Sequence, residues 1–158
     1  MPYSKVLASD IMNAEPPHCH MDTLVEIVAK RFADEDVSGM LVVDDDQRLL
    51  GVITESDLID QQRNLHVPTA IALFDMVIPM GEARFEQELL NMQAMTVGDL
   101  VQIDVVSVNV DQDLNDIASI MGDKHIHHLP VLDADGDGDT VVGLICKHDV
   151  IKALVHNR

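Results

Sequence analysis

Two short stretches of the chain place an aspartate at the same point of the same pattern. They read GVITESDLI, beginning at Gly51, and GLICKHDVI, beginning at Gly143. The aspartates are Asp57 and Asp149, and each comes three positions after a small side chain. An aspartate at the start of a helix can cap the backbone of that turn. Its carboxylate can also accept hydrogen bonds from the hydroxyl groups of a bound ligand. The pattern leaves both uses open.

The small residue before each aspartate separates the two copies. Thr54 precedes Asp57 and completes the pattern of a capping box, whereas Cys146 precedes Asp149 and supplies no hydroxyl. We therefore expect the cap of the second copy to be lost, which favours a ligand role for its aspartate. The helix that begins at each turn also presents its N-terminus there, and a helix N-terminus favours a bound anion.

The same order of elements surrounds both stretches, which indicates two copies of one unit. Each copy has a short strand, an amphipathic helix, two strands joined by an acidic turn, and a second helix. Met40–Val43 and Leu129–Leu132 are continuously apolar, as expected of strands covered on both faces. The first helix of each copy has an apolar stripe with helical spacing. The stripe residues are Leu24, Ile27, Val28 and Phe32 in one copy and Leu114, Ile117, Ala118 and Met121 in the other. Asp22 and Asp111 are the expected caps of these helices.

These elements predict an α/β fold in which two β-α-β-β-α units pack as a pseudo-twofold pair. The predicted boundaries are residues 1–60 for the first unit, 61–95 for a helical insertion, and 96–158 for the second unit. A domain of about 60 residues buries only about 60% of its unfolded surface. We therefore expect neither unit to be stable alone.

Composition and motif content argue against several classes of function. The chain of 158 residues has 28 acidic and 10 basic side chains and a formal net charge of −18. This balance argues against nucleic acid, because phosphate contacts need clustered Lys and Arg. The longest apolar run contains Pro68, Asp75 and Pro79 and is too short to span a membrane. The two cysteines form no CxxC pair, and no motif supplies a nucleophile with its base. We expect a cytoplasmic protein without catalysis, metal or obligatory cofactor.

The segments VSGMLVVD and GVITESDLI, and again IHHLPVLD and GLICKHDVI, resemble the cystathionine-β-synthase (CBS) domain pair, or Bateman module. In that family an aliphatic strand ends in Asp, and Gly, two apolar residues, Ser or Thr, two variable residues and Asp follow. The resemblance covers most of both units, and the insertion is similar to that of stand-alone prokaryotic members. Cys146 departs from the pattern at the hydroxyl position, and Leu41 stands where the second copy has Pro130.

The resemblance implies a sensory module that binds an adenosine-containing ligand, such as AMP, ADP, ATP or S-adenosylmethionine, in clefts between the copies. It implies that Asp57 and Asp149 accept the ribose hydroxyls. Thr54 would lie beside the phosphate, and Lys147 and His148 would supply charge in the second copy. The adenine is expected to meet backbone and apolar groups of two segments. These are Val37, Ser38, Gly39 and Met40, and Ile126, His127, His128 and Leu129.

The resemblance also implies a flat homodimer that signals its ligand state to a protein partner. A different class of function stays open, in which the chain is a structural or dimerisation module whose clefts bind no ligand. The departures at Cys146 and Leu41 favour this alternative. An adenosyl ligand that stabilises the chain would distinguish the two.

Overall fold

Two three-stranded sheets form the framework, one from each repeat. The computed structural model describes residues 5–60, 95–133 and 138–156. The first sheet has the order β1 (His18–Cys19), β2 (Gly39–Val43), β3 (Leu49–Thr54), and the second has β4 (Val108–Asn109), β5 (His128–Leu132), β6 (Val141–Cys146). In both sheets the short strand is parallel to the middle strand, which is antiparallel to the last. The predicted α/β fold class is confirmed.

The middle strands are apolar because they are covered on both faces. Every residue of β2 is buried, and in β5 every residue after His128 is buried. The continuous apolar tracts of the sequence therefore lie where a two-sided cover predicts them.

Each repeat has a helix of four residues before its first strand and longer helices after that strand. They are α1 (Ala8–Ile11), α2 (Val25–Glu35), α3 (Val97–Leu100), α4 (Leu114–Lys124) and α5 (Lys147–His156), and residues 55–60 are helical directly after β3. Among the described helices, none is both long and apolar enough to cross a membrane. The helical insertion predicted for residues 61–95 lies outside the described residues, apart from its last position.

The apolar stripe predicted for the first repeat is half right. Val28 and Phe32 of α2 are buried, but Leu24 and Ile27 are 38% and 49% exposed. Leu24 is the N-cap residue and not part of the helix, and Ile27 lies about 100° around the helix from Val28. In the second repeat the stripe is confirmed, with Ala118 half-buried and the other three side chains buried.

The two predicted helix caps are wrong. Asp113, rather than Asp111, caps α4, because its carboxylate accepts the backbone N–H of Asp116 at 2.9 Å. The N-cap residue directly precedes the first helical residue, and Asp111 lies too far upstream. The hydrogen bond from Asp116 is the main cause of a lowered pKa at Asp113. In α2 the N-cap is Leu24, rather than Asp22, and it makes no side-chain capping bond.

Each repeat completes its core with a helix that precedes the other repeat. α1 packs the buried Ala8 into the core of the second repeat, and α3 packs the buried Val97 into the core of the first. Backbone hydrogen bonds hold both helices in place. The N–H of Ala8 donates to the carbonyl of Gln112, and the N–H of Val97 donates to the carbonyl of Thr23, each at 2.8 Å. The two repeats therefore exchange their N-terminal helices.

The sheets meet about a pseudo-twofold axis, so that several contacts occur twice. Val52 of β3 pairs with Gln102 through two backbone hydrogen bonds, and Leu144 of β6 pairs with Asn13 in the same way. Val52 and Leu144 also pack with Leu41 in a buried cluster that joins the repeats. This cluster and the exchanged helices fix the relative position of the two repeated turns.

The glycine of each repeated stretch is required at this crossing. A Cβ on Gly51 would lie 2.5 Å from the backbone oxygen of Gln102. A Cβ on Gly143 would overlap the side chain of Met12 and lie 3.1 Å from the backbone oxygen of Asn13. The segment after each exchanged helix thus passes directly over the glycine of the other repeat. The repeated glycine is explained by this close approach.

Candidate ligand cleft

The carboxylate of Asp57 is fixed at the start of the helix that follows β3. Its Oδ2 accepts the backbone N–H of Thr54 at 2.7 Å and the Thr54 hydroxyl at 3.1 Å. Its Oδ1 accepts the side-chain amide of Gln102 at 2.6 Å. Both oxygens of this carboxylate therefore have partners within the protein.

Asp149 caps the equivalent turn of the second repeat. Its Oδ2 accepts the backbone N–H of Cys146 at 2.8 Å, so the expectation that the cysteine would abolish the cap is wrong. The carboxylate half of a capping box uses a backbone N–H, which every residue except proline has. Only the hydroxyl contribution is lost. Burial, with a smaller contribution from Asp149, raises the pKa of the Cys146 thiol to about 11, so the thiol is neutral at physiological pH.

The same capping geometry occurs at two further turns. Asp10 accepts the N–H of Leu7, and Asp99 accepts the N–H of Thr96, each at 2.9 Å. An aspartate three residues after the start of a helical turn thus has a structural role four times in the described chain. Capping alone does not distinguish the two aspartates of the repeated stretch from the other two.

The contact of Gln102 with Asp57 was not predicted from the sequence, nor were the cavity residues Val52, Glu55, Ser56, Asp104, Val105, Val106, His125, Cys146 and Ile151. The backbone of Gln102 pairs with Val52 of the first repeat, with N–H···O distances of 3.2 and 3.3 Å. This pairing brings the Gln102 side chain, from the segment that follows α3, to Asp57 of the first repeat. Gln102 follows Asp99 by three residues as Asn13 follows Asp10. This spacing marks the two residues as equivalent but does not indicate a contact with Asp57.

A cavity of about 640 Å³ lies between the two repeated turns. Its wall contains the three residues that precede each aspartate, namely residues 54–56 and 146–148. The rest of the wall is formed by Ser38, Val52, Gln102, residues 104–106, residues 125–128 and Ile151. A volume of this size is within the range of small-molecule sites.

Seven of the thirteen predicted site residues line this cavity. They are Ser38, Thr54, Ile126, His127, His128, Lys147 and His148. Asp57 and Asp149 are half-buried next to it. Gly39, Met40 and Leu129 are buried within their strands, and Val37 packs against the core of the first repeat. The second repeat supplies more of the wall than the first.

His128 connects the two repeats at the cavity. Its Nε2 lies 2.8 Å from the Oγ of Ser38, and the two form a hydrogen bond. Its ring occupies the space that a Cβ on Gly39 would need, 2.5 Å from the ring Cδ2. Burial is the main cause of a lowered pKa at His128, with a further contribution from His127, while Asp57 opposes both. The imidazole is therefore neutral at pH 7.

The remaining wall combines polar and apolar side chains. The polar part includes Lys147, His125, His127, His148, Glu55 and Asp104, and the apolar part includes Val105, Val106, Ile126 and Ile151. An apolar wall can cover a flat ring, and a lysine next to hydrogen-bonding imidazoles can hold an anion. Such a combination is suited to a ligand that has a ring at one end and negative charge at the other.

Comparison with known proteins identifies both repeats. The family model of the CBS domain matches residues 8–64 and 97–156. The uncharacterised protein MJ1426 of Methanocaldococcus jannaschii is 29% identical over 160 residues, which cover 95% of this chain and 92% of that protein. The chloroplastic CBS domain-containing protein CBSX2 of Arabidopsis thaliana is 27% identical over 134 residues. This match covers 83% of this chain and 55% of CBSX2.

Solved structures share the fold over almost the whole chain. The structure of CBSX2 in complex with AMP has a TM-score of 0.71 at 22% identity and covers 96% of this chain and 97% of that one. The CBS domain pair of MJ0100, in complex with 5′-methylthioadenosine and S-adenosyl-L-methionine, has a TM-score of 0.71 at 19% identity and covers 98% and 99%. With both of its repeats matched by the family model and this fold, the chain belongs to the CBS domain family.

Proposed function

We propose that the chain is a regulatory module that binds an adenosine-containing ligand between its repeats. AMP, ADP, ATP and S-adenosylmethionine are the candidate ligands, and the chain needs no obligatory cofactor. The observation that carries this proposal is the cavity that both repeated turns line. The solved complexes of CBSX2 with AMP and of the MJ0100 pair with adenosyl ligands support it.

The second repeat offers a complete set of groups for such a ligand. The Oδ2 of Asp149 is used by the N–H of Cys146, which leaves its Oδ1 for ribose hydroxyls. Lys147 begins α5, so a phosphate near it would meet both a positive side chain and a helix N-terminus. Val106 and Ile126 in the same cavity wall would cover the adenine.

The proposal is tested by thermal unfolding with AMP, ADP, ATP and S-adenosylmethionine. A ligand present at 100 times its Kd adds about 2.7 kcal/mol of stability, which raises the Tm by several degrees. Isothermal titration calorimetry then gives the affinity of whichever ligand raises the Tm. If none of the four changes the Tm, the proposal is wrong.

The aspartates allow a matched control. Asp149→Ala removes both a cap and a proposed ligand contact, whereas Asp10→Ala removes a cap with the same geometry at α1. Both variants should lose about 1 kcal/mol of unfolding free energy. Only Asp149→Ala should bind the ligand at least tenfold more weakly, because a hydrogen bond to a charged group is worth about 1.5–3 kcal/mol. Equal affinities in the two variants would show that Asp149 is only a cap.

A second candidate function is a structural module without a ligand. The observation that favours it is the capping role shared by all four aspartates, together with the amide of Gln102 on Asp57. This second function predicts that no adenosyl compound binds or raises the Tm, so the same titrations distinguish the two functions.

We also propose that the module acts as a homodimer that signals to a protein partner in the cytoplasm. Ile59, Ile151, Leu154 and Val155 are exposed on the helices that follow β3 and β6. Ile59 and Ile151 occupy equivalent places of the two repeats, and exposed apolar side chains of this kind suit a self-complementary C2 contact, the commonest closed symmetry. Light scattering at micromolar concentration should return twice the mass of the chain, and Val155→Glu should reduce it to that of a monomer. A monomer mass for the wild type would contradict the dimer.

A further inference from the structure

The two repeated turns are related by the pseudo-twofold axis, but their carboxylates are not equally available. Gln102 and Asn13 occupy equivalent places, since each pairs through its backbone with the equivalent residue of β3 or β6. The Gln102 amide reaches Asp57 and donates to its Oδ1 at 2.6 Å. The side chain of Asn13 is one methylene shorter, and its amide oxygen accepts the backbone N–H of Glu15 at 3.0 Å.

We propose that Gln102 blocks the aspartate of the first repeat, so that the ligand binds first at Asp149 and binds at Asp57 only after the Gln102 amide moves away. This inference rests on the proposed function and specifies which turn the ligand uses. The Gln102 amide competes with the ligand for Asp57. It donates to Oδ1, and the capping hydrogen bonds already use Oδ2.

The local geometry allows the amide to move without disturbing the fold. The backbone of Gln102 is held by two hydrogen bonds to Val52, while its side chain is exposed and lines the cavity. Rotation of that side chain would free the Oδ1 of Asp57 and leave the cap from Thr54 in place. A ligand at this turn must compensate for the lost amide contact, so its affinity there is lower than at Asp149.

The test is calorimetry with AMP on the full chain and on variants in which the Gln102 side chain is shortened or the Asn13 side chain is lengthened. Gln102→Asn and Gln102→Ala should strengthen binding at the Asp57 turn by about tenfold or more, the size expected when one competing charged hydrogen bond is removed. Asp57→Ala should leave the first equivalent of AMP unchanged in the wild type and should remove the gain in the Gln102→Asn background. Asn13→Gln should weaken the binding of the first equivalent of AMP.

Gln112→Asn is the matched control. The Gln112 amide donates to Asp116 at 2.9 Å next to α4, so this variant also shortens a glutamine that is bonded to a carboxylate. It should bind AMP as the wild type does. If the wild type binds AMP and both Gln102 variants bind it with the same affinity and stoichiometry, this inference is wrong and the proposed function stands. If AMP binds to none of the proteins, this inference is wrong, whereas the proposed function is wrong only if ADP, ATP and S-adenosylmethionine also fail to bind.

Discussion

At the scale of single residues, one difference between the two turns is the group at positions 54 and 146. Thr54 adds a hydroxyl hydrogen bond to the carboxylate of Asp57, at 3.1 Å. Cys146 adds a thiol whose pKa is raised to about 11, so it neither ionises nor bonds strongly at neutral pH. Both carboxylates retain the backbone N–H bond. The cap of the second repeat is therefore weaker but present.

Cys146→Thr should stabilise the chain. The new hydroxyl can donate to Asp149 as Thr54 donates to Asp57, which should add about 0.5–1.5 kcal/mol to the free energy of unfolding. The reciprocal variant Thr54→Cys should lose a similar amount. Urea unfolding of both variants measures the difference. Unchanged stability of Cys146→Thr would show that the hydroxyl has no effect at this turn.

Acid should destabilise the chain through His128. Burial lowers the pKa of His128 in the folded state, whereas in the unfolded chain it is about 6.5. As the pH falls through that value, the unfolded chain binds a proton before the folded chain does, so the free energy of unfolding decreases. His128→Gln keeps a polar group beside Ser38 and removes this titration. Its unfolding free energy should fall less than that of the wild type between about pH 7.5 and 5.5. Equal decreases would contradict the assignment to His128.

At the scale of elements, the segments that follow the exchanged helices α1 and α3 explain why each repeated stretch has a glycine. The chain after α3 passes over Gly51, and the chain after α1 passes over Gly143. The two crossings differ in what lies above the glycine. Over Gly51 the nearest groups include the backbone carbonyl of Gln102, while over Gly143 they are mainly the flexible side chain of Met12.

Gly51→Ala should therefore cost more stability than Gly143→Ala. The added methyl at position 51 overlaps the backbone oxygen of Gln102, which accepts the N–H of Val52, and overpacking of this kind costs about 1–3 kcal/mol. At position 143 the Met12 side chain can adopt another rotamer, so we expect the lower end of that range. Chemical denaturation of both variants tests the order. A larger loss for Gly143→Ala would show that the Met12 side chain cannot adjust.

The elements that could be predicted from sequence are those with long periodic patterns. The apolar tracts of β2 and β5 and the stripe of α4 are where the pattern places them. The exchange of α1 and α3 could not be predicted, because each is a four-residue helix, too short to show a period. Gln102 was missed for the same reason, since its contact with Asp57 depends on that exchange. The capping box motif indicated the turn geometry, but it could not say which aspartate has a free oxygen.

At the scale of the whole molecule, three buried clusters among the described residues hold the repeats together. Two of them are the cores of the repeats, and each contains a residue from the exchanged helix of the other, Ala8 or Val97. The third lies on the junction and takes Leu41, Val52 and Leu144 from both sheets. No division of the described chain between the two repeats leaves all three clusters intact, so we expect the repeats to unfold as one cooperative unit.

Residues 1–60 alone should show no cooperative urea transition. This fragment lacks Val97 in its core, it has no partner for Ala8, and it exposes the junction cluster. A fragment of this size has little surplus stability to offset such losses.

The complementary fragment, residues 61–158, has the reciprocal defect because it lacks Ala8. When the two are mixed, each supplies the helix that the other needs, so we expect them to associate and recover a sharp transition. A mixture of 1–60 with an Ala8→Asp substitution should recover much less, since a buried charge would enter the core of the second repeat. Far-ultraviolet circular dichroism of the separate and mixed fragments measures this. A sharp transition for 1–60 alone would show that the first repeat is an independent domain and that the exchanged helices contribute little to its stability.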